Sequence, residues 1–148
     1  GGRVKKISNK KTKLYATRKT APGLRYFDKE AVEIGGGVRH RLRLDEMVMI
    51  KDNHIAVSDS LLSLIKSVKK KHKKFEVEVE NTPDAVLAAK EGATIIMLDN
   101  FSPGQIKKTI QVLKSQKLRD RVLLEASGGI NSKNIAKYVE KYKIFKYR

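Results

Sequence analysis

The chain has 148 residues, a length suited to one domain with a sizeable core. It contains no cysteine, which excludes disulfides, thiolate metal sites and a cysteine nucleophile, and it contains no apolar run long enough to span a bilayer. We therefore expect a cytoplasmic protein. The net charge is +17, from 33 Lys and Arg against 16 Asp and Glu, so the surface should attract anions, from phosphorylated metabolites to nucleic acid.

The first half of the chain alternates strands with helices. A basic segment, residues 1–12, precedes a short apolar strand from Leu14 to Thr17. Pro22 begins a helix that Gly35 ends. Met47 to Ile50 form a second apolar strand, and Ser58 is the predicted cap of the next helix.

The second half repeats this alternation more regularly. Strands are predicted where apolar residues alternate with polar ones or run continuously, and helices where a cap residue precedes an apolar stripe. The predicted elements are, in order, a strand Phe75 to Glu80, a helix Thr82 to Gly92, a strand Thr94 to Leu98, a helix from Ser102-Pro103, a strand Val122 to Leu124, a helix capped by Asn131, and the beginning of a sixth strand at Ile144-Phe145.

This order predicts an α/β fold in which parallel strands are joined by crossover helices. An α/β barrel and an open doubly wound sheet both fit the alternation. In both architectures ligands bind at the carboxyl ends of the strands, so the residues that follow each strand are the candidate site residues.

Cations follow the first two predicted strands. Arg18 and Lys19 come directly after the first, Lys51 follows the second, and His40-Arg41 lies in the loop between them. A guanidinium binds a carboxylate through two hydrogen bonds, and an ammonium adds a point charge. The group predicts a pocket for a small ligand with several negative charges, with ion pairs to nearby carboxylates as the alternative.

Carboxylates follow the later strands. Strict alternation places Glu76, Glu78 and Glu80 on one face of their strand, and Asp99 and Glu125 come at or near the ends of the next two. Magnesium prefers oxygen ligands and often shares them with substrate phosphates, which makes Glu78 and Asp99 candidate ligands, with Glu125 as a further one. Ordinary salt bridges account for such residues equally well.

Two other segments each allow two interpretations. Ser127-Gly128-Gly129 lies between a strand and a capped helix, where backbone amides can hold a phosphate, although a tight turn with positive φ needs the same glycines. The basic run Lys69 to Lys74 is either a nucleic-acid patch or a solvated helix end whose cations suit the helix dipole. No aromatic residues interleave that run, which favours the helix end.

Together these segments resemble the quinolinate phosphoribosyltransferase family. The matching strings are TRKTAPGLR at 17–25, GGGVRHR at 35–41, IKDNH at 50–54, EVEVE at 76–80, LDNF at 98–101 and EASGGI at 125–130, in the family's order. The resemblance covers nearly the whole chain and implies an open α/β barrel, of which residues 13–148 would supply five strands and the start of a sixth.

The resemblance also implies an activity and roles. Members of the family transfer a phosphoribosyl group from phosphoribosyl pyrophosphate to quinolinate with magnesium present, releasing nicotinate mononucleotide, pyrophosphate and carbon dioxide for NAD biosynthesis. By resemblance, Lys19, Lys51, Glu78 and Asp99 are catalytic and Glu78 and Asp99 also bind the metal. The residues implied to bind substrate are Arg18, Lys19, His40, Arg41, Lys51, Glu78, Asp99, Ser127, Gly128 and Gly129.

The family's enzymes carry a smaller N-terminal domain and assemble at least as dimers. The residues of that domain, and of the last barrel strands, are not in this sequence. We therefore expect the chain by itself to bind ligand weakly at most and to turn over slowly or not at all. A basic polyanion-binding protein, or a related transferase with another small anionic substrate, are the alternative interpretations.

Overall fold

The computed structural model describes residues 15–16, 38–39, 47–51, 60–131 and 133–139. The helix predicted from Pro22, the loop containing Ser58, and the strand at Ile144-Phe145 lie outside these ranges. The elements are, in chain order, β1 Tyr15–Ala16, β2 Val38–Arg39, β3 Val48–Ile50, α1 Leu61–Lys71, β4 Phe75–Val79, α2 Thr82–Lys90, β5 Ile95–Asp99, α3 Pro103–Ser115, a 3₁₀ turn Arg119–Arg121, β6 Leu123–Ser127 and α4 Ile135–Val139.

Contacts divide the chain into two compact units. The central unit spans Glu46–Glu125, and the terminal unit combines Gly1–Asp45 with Ala126–Arg148. In the terminal unit, β1 pairs in parallel with β2, with Tyr15 opposite Val38. The pattern predicted β1 but not β2, because two residues next to a glycine run show neither an apolar stretch nor an alternation.

The main sheet has the strand order β3-β4-β5-β6. The β3–β4 and β4–β5 pairs are parallel, and the Leu123 N–H donates to the Thr94 carbonyl at 3.0 Å where β6 begins. Neighbours in sequence are therefore neighbours in space, and these four strands contain no point at which the order reverses. That order is typical of a barrel wall and not of the central strands of a doubly wound sheet. The predicted α/β class is confirmed, and the count of five strands and the start of a sixth stays a prediction.

The helix starts depend on side-chain caps. The Ser60 hydroxyl accepts a hydrogen bond from the Ser63 N–H at 3.1 Å, so α1 begins at Leu61 and the cap is Ser60. The prediction of Ser58 as the cap was wrong, because the serine directly before the apolar stripe is the one that satisfies the helix N–H groups. α2 has Asn81 as its cap, and α3 has a reciprocal capping box between Ser102 and Gln105.

Two helices end in the same hydrogen-bonded turn. At the end of α2 the Ala93 N–H donates to the Ala88 carbonyl, and at the end of α3 the Leu118 N–H donates to the Leu113 carbonyl. The residue that turns the chain is Gly92 with φ +88° in the first case and Lys117 with φ +56° in the second. The prediction that Gly92 closes α2 is confirmed, since this Schellman turn requires a left-handed residue there.

The three long helices form a layer on the sheet. α1 contacts β3, α2 contacts β4 and β5, and α2 also contacts both α1 and α3. Each helix buries one apolar stripe. The buried members are Leu61 and Ile65 of α1, Ala85, Ala88 and Ala89 of α2, and Ile106, Ile110 and Leu113 of α3. Within the described residues, no helix is both long and apolar enough to cross a membrane. The cytoplasmic location stays a prediction.

Arg119 fixes the approach to the fourth strand of this sheet. Its guanidinium donates to the Val122 carbonyl at 3.0 Å, one residue before β6 begins. Burial lowers the pKa of Arg119 below its ordinary value, and the neighbouring Asp120 opposes that change. An arginine stays protonated at physiological pH despite such a shift, so it remains a cation there.

Candidate active site at the carboxyl edge of the sheet

Strand register sorts charged side chains onto one face of the sheet. Met49 pairs with Glu76, and Glu78 pairs with Met97. Register partners in a parallel pair point to the same face, and side chains along a strand alternate. Glu76, Glu78 and Asp99 therefore share a face with the two methionines.

The opposite face is apolar. Phe75, Val77 and Val79 occupy the alternate positions of β4 and are almost fully buried, as are Ile50 and Leu98 on the neighbouring strands. Apolar stripes of the helices need an apolar surface to pack against, so this face is the one that the helix layer covers. The predicted division of β4 into an apolar face and a glutamate face agrees with this arrangement.

Lys51 lies at the end of β3 on the charged face. It follows Ile50, whose partner is Val77, so Lys51 is level with Glu78 on the adjacent strand. Neighbouring strands are about 4.8 Å apart, which sets the separation of the two Cα atoms at roughly 5 Å. Lys51 is exposed, and its four-carbon stem lets the ammonium reach ligands beyond the strand end.

Asp99 is the last residue of β5 and is half-buried, as Glu78 is. It lies one strand over and two residues beyond the level of Glu78, because Met97 is the partner of Glu78. Strand spacing and rise put the two Cα atoms about 8 Å apart. Asn100 follows with φ +56°, and its Nδ2 donates to Asp99 Oδ2 at 3.1 Å.

Two further carboxylates of the sheet are more deeply buried than Glu78 and Asp99. Glu76 is 2% exposed and Glu125, on β6, is 7% exposed. Burying a carboxylate is costly unless other groups compensate it, and both residues make polar interactions in the structure. A sheet face that accommodates several carboxylates is suited to cationic or polar ligands and unsuited to a purely structural core.

Glu78 and Asp99 fit one mode of magnesium binding and not another. In the described part of the chain, no three His, Cys, Asp or Glu side chains gather closely enough to hold a metal by themselves. Magnesium commonly takes one or two protein carboxylates and completes its shell with water and substrate phosphates. Two half-buried carboxylates on adjacent strands suit that mode.

The terminal unit contains the predicted glycine turn. Gly128 has φ +82° and Gly129 has φ +66°, so both need the conformation that glycine adopts most easily. Asn134 clamps the turn, since its Nδ2 donates to the Gly129 carbonyl and its Oδ1 accepts from the Asn131 N–H, each at 2.8 Å. The Asn131 side chain accepts from the Lys133 and Asn134 N–H groups, which confirms it as the cap before α4. Ser127 ends β6 just before this turn, and a phosphate role for it stays a prediction.

Four of the predicted cationic residues are not among those that the structure describes. Arg18, Lys19, His40 and Arg41 lie outside the described residues. The structure thus brings Lys51, Glu78 and Asp99 to one edge and one face of the sheet. Sequence reasoning did not identify the contacts of Asn100 and Asn134. Asparagine is common in turns, but side-chain partners are not visible in a sequence.

A basic cavity lies at the opposite, amino-terminal edge of the sheet. It has a volume of about 370 Å³ and is lined by Lys69, His72, Lys73, Phe75, Lys90, Glu91 and Gly92. α1 and α2 both end here, so their carbonyl ends face the region, and Lys69 Nζ pairs with Glu91 Oε2 at 3.3 Å. Cations at these positions complement the negative helix ends. This favours the helix-end interpretation of the run Lys69–Lys74 over an anion site.

Known proteins share both the sequence and the fold. Residues 2–146 match the family described as quinolinate phosphoribosyl transferase, C-terminal domain. A probable carboxylating nicotinate-nucleotide pyrophosphorylase of Methanothermobacter thermautotrophicus is 50% identical over 133 residues, which cover 88% of this chain and 48% of that protein. The human carboxylating nicotinate-nucleotide pyrophosphorylase is 38% identical over 125 residues, covering 82% of this chain and 41% of the human protein.

Solved structures give the same result. NadC from Streptococcus pyogenes superposes with a TM-score of 0.81 at 36% identity, covering 98% of this chain and 50% of that one. The nicotinate-nucleotide pyrophosphorylase from Francisella tularensis gives a TM-score of 0.80 at 37% identity, with 98% and 51% covered. The chain spans about half the length of the curated relatives it matches. The chain belongs to the quinolinate phosphoribosyltransferase family and corresponds to its C-terminal domain.

Proposed function

We propose that this chain supplies the catalytic surface on which a phosphoribosyl group passes from phosphoribosyl pyrophosphate to quinolinate. The observation that supports this most directly is the convergence of Lys51, Glu78 and Asp99 at the carboxyl edge of the sheet, on its charged face. Family membership supplies the substrates, because the relatives are named as carboxylating nicotinate-nucleotide pyrophosphorylases. A surface with an exposed cation beside two carboxylates suits a reaction in which positive and negative charge develop on different atoms.

The cations would bind the two quinolinate carboxylates. Lys51 is exposed at the end of β3 and can reach a carboxylate of a ligand above the strand ends. Arg18, Lys19, His40 and Arg41 complete the proposed pocket by family resemblance. Lys19 and Lys51 would also contact the phosphoribosyl donor, where an ammonium stabilises negative charge on departing pyrophosphate oxygens.

The carboxylates would act on the ribose. The bond between C1′ and the pyrophosphate oxygen breaks as the quinolinate ring nitrogen attacks C1′, so positive charge develops on the ribose ring. Glu78 and Asp99 are half-buried anions placed to stabilise that charge. They would also hold magnesium, which supplies a Lewis acid that neutralises the pyrophosphate. When carbon dioxide then leaves, the electron pair stays on the ring carbon that carried it, where the positive charge of the ribosylated nitrogen stabilises it, and a proton from water completes nicotinate mononucleotide.

The glycine turn of the terminal unit would hold the ribose 5′-phosphate. Ser127, Gly128 and Gly129 correspond to the family's phosphate-binding segment by resemblance. Support comes from the two consecutive positive φ angles and from the clamp by Asn134, which give this turn a defined backbone. The intact enzyme would form a homodimer or a larger assembly, as the family does.

Product formation tests this proposal. Purified chain at high concentration would be incubated with phosphoribosyl pyrophosphate, magnesium and quinolinate labelled in the carboxylate that is lost, and labelled carbon dioxide and nicotinate mononucleotide would be measured together. We expect slow formation of both in equal amounts, abolished by Glu78→Gln and kept by Glu91→Gln at the opposite edge. Product formation that is the same in both variants would contradict the assigned site.

A further inference from the structure

The connection between β5 and α3 is short and held at both ends. Only Asn100, Phe101 and Ser102 separate the last strand residue from the first helix residue. Phe101 is buried and Ser102 caps α3, so neither is free to move. Asn100 turns the chain through its left-handed φ of +56°. The geometry of this connection therefore determines where the Asp99 carboxylate lies.

The side chain of Asn100 reaches back to that carboxylate. Its Nδ2 donates to Asp99 Oδ2 at 3.1 Å. A carboxylate oxygen only accepts hydrogen bonds, so the amide nitrogen and not the amide oxygen must face Asp99. The donor is neutral, which means that it orients the carboxylate and leaves its negative charge available to a ligand. A lysine or arginine in its place would orient and neutralise the carboxylate at once.

The backbone conformation alone does not account for an asparagine here. Asparagine tolerates positive φ better than most residues, so a purely conformational role is the alternative. Lys117 adopts the same φ of +56° at the end of α3 without a short amide side chain. This fold therefore accepts an ordinary residue at that backbone angle, and the contact with Asp99 is what distinguishes position 100.

We propose that Asn100 is a positioning residue, whose amide holds the Asp99 carboxylate in the orientation that binds the ribose and metal end of the phosphoribosyl donor. This inference rests on the proposed function, because it assigns Asp99 to the donor site. It gives a role to a residue that lies within the matched string LDNF but received no role from the sequence, and that need not touch substrate. Loss of the amide should weaken donor binding through a disordered Asp99 side chain and not through loss of the fold.

The experiment separates the amide from the turn. Asn100→Gly removes the amide and still allows the left-handed conformation, whereas Asn100→Ala removes the amide and also disfavours that conformation. Lys117→Gly is the matched control, since it changes a residue of the same φ far along the chain in sequence. For each variant, calorimetry would give the dissociation constant for phosphoribosyl pyrophosphate with magnesium, and NMR three-bond couplings would give the side-chain rotamer of Asp99. Asp99→Ala is the reference for loss of the carboxylate.

We expect Asn100→Gly to raise the dissociation constant about 5- to 10-fold, the range of a lost hydrogen bond to a charged group that is partly solvated. The midpoint of its thermal unfolding should stay unchanged. The three-bond couplings of Asp99 should take the averaged values of a side chain that exchanges between rotamers. Asn100→Ala should lose the same affinity and also unfold at lower temperature. Unchanged affinity and couplings in Asn100→Gly, or an equal loss in Lys117→Gly, would overturn the inference alone. Equal binding by wild type and Asp99→Ala, or no binding by either, would overturn the proposed function and the inference with it.

Discussion

The hydroxyls of Thr82 and Thr109 lie 2.8 Å apart and join the start of α2 to the middle of α3. Thr109 donates its one hydroxyl hydrogen to the Gln105 carbonyl at 2.9 Å, so Thr82 must be the donor in the contact between the two helices. α2 and α3 follow the strands that carry Glu78 and Asp99. This contact therefore fixes the spacing of the two elements that leave the proposed site.

The free energy of unfolding of threonine variants should show that the Thr82 and Thr109 hydroxyls interact. Thr109→Val removes the acceptor at a residue that is 0% exposed, so the half-buried Thr82 hydroxyl loses its partner in α3, which costs about 1 kcal/mol. The double variant Thr82→Val, Thr109→Val should cost less than the sum of the single variants. Urea unfolding followed by circular dichroism measures this cycle. Strictly additive losses would show that the hydroxyls do not interact.

Substitutions in the two Schellman turns should change the stability of the fold in opposite directions. Lys117 and Gly92 hold equivalent positions, but only the glycine adopts a left-handed φ without strain. Lys117→Gly should stabilise the fold by about 0.5–1 kcal/mol, and Gly92→Ala should destabilise it by about 1 kcal/mol. A Cβ at Gly92 meets no atom within 4 Å, so that loss would come from the backbone and not from a clash. Thermal midpoints that shift in the same direction would contradict this explanation.

The sheet also contains a matched pair of leucines. Leu98 in β5 is 0% exposed, whereas Leu123 at the start of β6 is 62% exposed. Leu98→Ala should cost about 2–5 kcal/mol of unfolding free energy, because the side chain leaves a cavity between sheet and helices. Leu123→Ala should change stability by at most about 0.5 kcal/mol. Chemical denaturation of both variants measures these changes. Similar losses of unfolding free energy in the two variants would contradict the assigned burial.

Local patterns predicted most of the elements from β3 to α4 from sequence. Alternation at Phe75–Val79 and the caps Ser102 and Asn131 depend on nearest neighbours, which a sequence displays directly. Pairing of β1 with β2 depends on residues more than twenty positions apart, and nothing in Val38-Arg39 signals it. The candidate site divides in the same way. Its charged residues were visible as strand ends, but the side-chain contacts of Asn100 with Asp99 and of Asn134 with Gly129 arise from the fold of the turns.

The basic run Lys69–Lys74, at and after the end of α1, gives a test of the polyanion alternative. Changing Lys70, Lys73 and Lys74 to Gln removes three exposed charges far along the sheet from Asp99. We expect any affinity for DNA to be weak, independent of sequence and steeply reduced by salt, because only phosphate contacts would contribute. Filter binding at two salt concentrations measures it, with binding of phosphoribosyl pyrophosphate as the control that should not change. Tight binding that persists at high salt would favour a nucleic-acid function.

Binding of quinolinate by Lys51 tests the central claim most directly. Isothermal titration would compare wild type, Lys51→Ala and Lys107→Ala, the last removing an exposed lysine of α3 on the helix layer. Loss of a charge-assisted contact should weaken binding by about 10- to 100-fold in Lys51→Ala, while Lys107→Ala should match wild type. Equal affinities of wild type and Lys51→Ala for quinolinate would contradict the placement of the substrate pocket at the carboxyl edge of this sheet.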